Sequence, residues 1–152
     1  MDVKVVNPFI NSFSAVMPQF GFERVEKKEV FVKGRVIKSS GVMLILGIVG
    51  DIRGNVIYSM DIESAKKIAS KMMMGMPVDE LNDMAQSAIS ELSNMLTANA
   101  SINLENIGVN INISTPSLMY GKDFEAKMNT DKVLCVEILV DDIPVEINIA
   151  FE

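Results

Sequence analysis

Residues 42–50, VMLILGIVG, restrict what this chain can fold into more than any other segment. The run is apolar almost throughout, so it lacks the in–out alternation of a half-exposed strand. It suits a central strand covered on both faces. At nine residues it is far short of the roughly 18 needed to cross a bilayer, and no other apolar run reaches that length. Its neighbours, EVFVKGRVIK at 29–38 and NVIYSM at 55–60, also read as strands. Ser39-Ser40-Gly41 and Asp51-Ile52-Arg53-Gly54 divide the three runs as hairpin connections would.

Helical spacing frames this strand unit on both sides. Residues 2–20 place Val5, Val6, Phe9, Ile10, Phe13, Val16 and Met17 on one face; Pro8 opens or bends that helix, and Pro18 with Gly21 closes it. Asp61 reads as the N-cap of a helix carrying Ala65, Ile68, Ala69, Met72 and Met73, which Gly75 and Pro77 stop. Asp79 is a cap for a longer helix reaching about residue 107. Strands return near 109–113, at 132–140 and at 144–152, the last two joined at Asp141-Asp142. Pro144 lacks a ladder donor and belongs at the start of its strand or at a sheet edge. No linker or low-complexity tract interrupts the order. The expectation is one domain over residues 1–152: a two-layer α/β sandwich with a mostly antiparallel sheet packed against long helices.

Composition narrows the chemistry. A chain of 152 residues, 49% hydrophobic, can bury a real core and is not a disordered segment. The net charge of −6, with Lys and Arg scattered, argues against nucleic acid as a partner. With no histidine there is no Ser-His or Cys-His pair and no His-ligated metal. The single cysteine, Cys135, cannot form an internal disulfide, and the N-terminus lacks a signal-peptide pattern. Together these point to a soluble cytoplasmic protein without a membrane partner. Catalysis, if any, must rest on carboxylates, amides, hydroxyls or a partner's groups.

Projected at about 100° per residue, the long helix separates into two sides. Leu81, Ala85, Ala88, Ile89, Leu92, Met95, Leu96 and Ala100 form a broad core stripe, and Ser87, Glu91, Asn94, Ala98 and Ser101 a narrow line opposite. Nothing bulky follows Asn94 on that line, so a partner backbone can approach there. A solvated face would also be polar. The spacing Glu-x-x-Asn is uninformative alone, since chance gives about one such pair in a chain of this composition and one is present. Asn94 says more, because asparagine is unfavourable in mid-helix. Two other features have plainer readings. KMMMGM at 71–76 is helix-end core packing before it is a methionine-rich docking surface, and Cys135, flanked by Val133, Leu134 and Val136, is a buried strand residue.

Ser87-x-x-x-Glu91-x-x-Asn94, followed directly by Met95, resembles the signature helix of the CheC/CheX/FliY family of chemotaxis phosphatases. The stretch from Met43 to Met76 is similar to that family's strand–hairpin–strand–helix unit. TPSLMYGKDF, from Thr115 to Phe124, resembles its proline-containing crossover. The likeness extends over nearly the whole chain. It is nearest to the CheX branch, because NPFINSFSAVM in the first helix carries no second Glu-x-x-Asn. Ser93 and Ala98 stand where relatives often have glycine. Both are small enough for close approach, although Ala98 tightens the fit beside Asn94.

The resemblance implies a phosphatase whose substrate is a CheY-type receiver domain phosphorylated on aspartate. Such a receiver brings its own Mg²⁺ and lysine, so no cofactor or metal of the chain's own is expected. Asn94 would orient the attacking water and Glu91 would pair with the receiver lysine. Ser87 and Ala98 would contact the partner. The resemblance also implies a homodimer. The competing expectations are a non-catalytic binding module for a receiver, similar to flagellar switch domains, and a phosphatase for a receiver outside chemotaxis.

Overall fold

A computed structural model describes residues 2–152. The chain opens with helix α1 (Val3–Val16), started by the Asp2 carboxylate accepting from the Lys4 N–H at 2.9 Å. Pro8 therefore lies inside the helix rather than at its start, and a 3₁₀ turn at Met17–Phe20 ends at Gly21, where φ is +86°. Strands β1 (Val25–Lys33), β2 (Val36–Lys38), β3 (Val42–Gly50) and β4 (Gly54–Met60) follow, then helices α2 (Ile62–Met72) and α3 (Asp83–Asn106). The second half adds β5 (Ile111–Ile113), β6 (Ser117–Tyr120), β7 (Glu125–Lys127), β8 (Val133–Val140) and β9 (Ile143–Phe151).

Seven strands form one antiparallel sheet in the order β1-β8-β9-β4-β3, with β5 and β6 sharing the outer edge of β3. Helix residues Phe9, Phe13, Ile68, Ala85, Ile89 and Leu96 join Leu44, Leu46, Val56, Tyr58, Ile147 and Ile149 in one buried cluster, so the helices cover one face of the sheet. Burying each large apolar side chain there contributes roughly 1.5–3 kcal/mol. The expected α/β sandwich is what the chain forms. The opposite face carries something more, the two-stranded ribbon β2–β7, under which Ile37 and Met128 meet Met43, Ile57, Val133 and Cys135. This ribbon explains why β3 is apolar on both sides: Val42, Leu44, Leu46 and Ile48 face the helices while Met43 and Ile45 face the ribbon.

Several local expectations are corrected. The run at 29–38 is two strands, because the chain turns at Gly34-Arg35 and β2 leaves the main sheet to pair with β7. Ser39-Ser40-Gly41 is consequently not a hairpin, whereas the β3–β4 connection is. The crossover at 115–124 contains a strand of its own, β6. Asn82, not Asp79, caps α3: its Oδ1 accepts from the Ala85 N–H at 2.9 Å, so Leu81 packs on the core from just outside the helix. Met72 and Met73 pack against the core as expected, but Met74 and Met76 are exposed. Asp141 and Asp142 both adopt positive φ, the geometry of a tight two-residue hairpin, and the Asp141 carboxylate fastens that turn to the Glu23 and Arg24 N–H groups.

Candidate active site

Helix α3 packs beside α1 and α2, borders the edge strands β5 and β6, and reaches β4 through Tyr58. Its buried side is apolar except at Ser93 and Thr97, which point inward. Neither belongs to the apolar stripe read from periodicity; Ala88 and Met95, which do, are partly buried and pack against the core. The hydroxyls are tolerated because each is paired. Ser93 Oγ donates to the Ser90 carbonyl at 2.7 Å, and Thr97 Oγ1 donates to the Ser93 carbonyl at 2.8 Å. Tyr58 of β4 reaches Thr97 Oγ1 at 2.8 Å. Thr97 has one proton, already given to a group that can only accept, so the Tyr58 hydroxyl is the donor in that contact. The hydrogen-bond chain ties the turn that carries Asn94 to the centre of the sheet.

On the outward side Ser87 and Glu91 are exposed, while Asn94, Ala98 and Ser101 are partly buried. Glu91 and Asn94 stand one turn apart, about 4.5 Å along the axis. Among the described residues the Glu91 carboxylate has no ion-pair partner and the Asn94 amide no hydrogen bond. Ser93 faces the core and leaves this outer surface unchanged.

The helix is only half of the site. An open groove of about 540 Å³ runs between α3 and the edge strand. Asp83, Gln86, Ser87, Ser90, Glu91 and Asn94 line one wall; Thr115, Pro116 and Leu118 line the other. The lining contains two carboxylates and no lysine or arginine. Such a groove repels a bare phosphate and favours a ligand that brings positive charge with it. The Asn94 amide can accept from one group and donate to another at once, and Glu91 is open to a cation. Among the described residues no group of three His, Cys, Asp or Glu comes together to hold a metal. The second wall was missed from sequence, although Pro116, unable to donate to a ladder, marks where the edge strand breaks.

Comparison with known proteins bears on this geometry. The family model described as Chemotaxis phosphatase CheX matches residues 42–139, which span β3 through most of β8 and include both walls of the groove. The chain belongs to the CheX family. It is 35% identical over 128 residues to the CheY-P phosphatase CheX of Thermotoga maritima, covering 84% of this chain and 82% of that protein. CheX of Borrelia burgdorferi, solved in a complex with CheY, BeF3 and Mg²⁺, superposes with a TM-score of 0.77 at 26% identity over 97% of both chains. CheX from Vibrio vulnificus gives 0.85 at 23% identity over 99% of this chain and all of the other, a likeness of fold. No helix among the described residues is long and apolar enough to cross a membrane.

Proposed function

We propose that this chain, like its T. maritima relative, is a phosphatase that removes the aspartyl phosphate of a CheY-type receiver domain in chemotaxis signalling. The observation that carries the reading is the unpaired Glu91–Asn94 pair on the open face of α3, in a groove lined by no cation of its own. An acyl phosphate is already activated, and its hydrolysis asks for an aligned water and charge stabilisation more than for a strong base. Asn94 accepts a hydrogen bond from the water and holds it in line. The water oxygen bonds to phosphorus, the bond to the aspartyl oxygen breaks, and the carboxylate leaves with the electron pair. Mg²⁺ and a lysine come with the receiver. Glu91 pairs with that lysine, which explains how an acidic groove accepts a phosphorylated partner. Ser87 and Ala98 contact the receiver on either side of the pair.

The test is the decay of a phosphorylated CheY-type receiver with and without the protein. Asn94→Ala should slow the catalysed decay about 30–1,000-fold, corresponding to roughly 2–4 kcal/mol for one preorganised polar group. Glu91→Ala should weaken binding as well as rate. Full activity of Asn94→Ala overturns the mechanism. Binding without any acceleration by the wild type identifies a docking module instead.

The same reading includes a cytoplasmic protein, in keeping with the free thiol of Cys135, and a homodimer paired through β1. Among the described residues no strand pairs with the outer edge of β1, and beyond the irregularity at Lys27/Val30 it carries the exposed Val30 and Val32 beside Val3 of α1. It is the opposite edge of the sheet from the Asn94 groove, so pairing there leaves both sites open. Light scattering should give twice 16.7 kDa for the wild type, and Val32→Lys should reduce it to the single-chain mass. A wild-type mass of one chain refutes the pairing.

A further inference from the structure

The edge strand opposite Asn94 contains a one-residue irregularity. Ile113 pairs with Ile48 and Ser117 with Ile45, so Ser114, Thr115 and Pro116 stand against only Leu46 and Gly47. Three residues facing two make a β-bulge, and the extra residue reverses the side-chain parity of the strand. Ile111 and Ile113 pack toward the helices before it, and Leu118 does so after it. Thr115 and Pro116 therefore both line the groove.

Hydrogen bonding around the bulge sustains this placement. Ser114 N–H donates to the Gly47 carbonyl at 3.0 Å. The returning Gly47 N–H donates at 2.8 Å to Ser114 Oγ in place of a main-chain acceptor. The Ser114 hydroxyl proton then goes to the Thr115 carbonyl at 3.0 Å. Among the described residues this leaves the Thr115 N–H and hydroxyl without a partner, and Thr115 is an exposed residue on the groove wall. Thr115, with these two donors, stands in the wall across the groove from Asp83 and Glu91, whose carboxylates are acceptors.

Resting on the phosphatase reading above, we propose that Thr115 is a second docking contact of the receiver, donating to a main-chain carbonyl of the receiver loop that enters the groove. The bulge brings Thr115, which carries those donors, to the groove wall. Thr115 acts on binding, and the reacting phosphoryl group is left to Asn94.

Thr115→Val keeps the branched shape and removes the hydroxyl; Thr115→Ser keeps the hydroxyl; Thr115→Ala serves as a second deletion if the valine variant folds poorly. Each is measured for thermal stability, for kcat and KM on the phosphorylated receiver, and for Kd toward the receiver loaded with beryllium fluoride and Mg²⁺. Thr115→Val should raise KM and Kd about fivefold, the effect of one neutral hydrogen bond, with kcat unchanged and Thr115→Ser near wild type. Unchanged KM and Kd in the deletions overturn the contact, as does a loss of kcat at constant KM. If the wild type binds the loaded receiver without speeding decay, the phosphatase reading falls, and the Kd comparison alone still decides whether Thr115 is a contact.

Discussion

Replacing Tyr58 and Thr97, singly and together, probes the buried hydrogen bonds that anchor α3 beneath Asn94. Tyr58 is 1% exposed and Thr97 0%, so neither hydroxyl can turn to water. Tyr58→Phe removes a donor and leaves the Thr97 bond to the Ser93 carbonyl intact; the cost should be about 1 kcal/mol. Thr97→Val removes the acceptor and strands a phenolic hydroxyl in the core, which adds a desolvation penalty and should bring the loss to about 2–3 kcal/mol. The double variant strands nothing, so its loss should fall short of the sum by about 1 kcal/mol. Denaturant unfolding at neutral pH reads all three values. A Tyr58→Phe loss equal to that of Thr97→Val, or strict additivity, would refute Tyr58 as the donor to Thr97.

The same pair of proteins has a pH signature. Burial, partly offset by the Thr97 hydrogen bond, holds the Tyr58 phenol above its ordinary value of 10.0. Below that value both folded and unfolded chains keep the proton, and the group adds no pH dependence. Above it the unfolded chain loses the proton first, so stability falls as pH rises. The advantage of wild type over Tyr58→Phe should therefore begin to shrink near pH 10 and go on shrinking as the pH rises further. A constant difference would contradict the buried neutral phenol.

The Cys135 thiol is pushed up to about 11, chiefly by burial, with Lys33 drawing it partly back, and its Sγ donates to Asn148 Oδ1 at 3.0 Å. It should resist thiol reagents at about pH 8 in the native protein and react fully once unfolded; rapid native labelling would show the strand to be open. A Cβ at Gly54 would stand 1.9 Å from the Ala150 carbonyl oxygen, where φ is +157°, so Gly54→Ala should cost about 3 kcal/mol in unfolding experiments. A loss below about 1 kcal/mol would mean that β4 and β9 separate more easily than their packing suggests.

The features legible in the sequence were those with a short period. Phe9, Phe13 and Val16 of α1, the paired burial of β3, the Asp61 cap of α2 and the Asp141-Asp142 hairpin all rest on spacings of a few residues, and each is present. The line from Ser87 through Glu91 and Asn94 belongs to the same class, since one helix carries all of it. The burial of Ser93 and Thr97 is not legible in the sequence, because an apolar periodicity passes over polar side chains. Their protons go to carbonyls of their own helix, and Tyr58, 39 residues from Thr97, completes the chain.

By itself, then, the sequence determined which side chains share the outer face of α3, because helical geometry is local and needs no partner. Only the tertiary structure decided what that face looks across at. Ser114 meets Gly47 from 67 residues away, and whether Thr115 points into the groove depends on a register shift of one residue against β3. Strand register is set by pairing between distant segments and has no signature within either one.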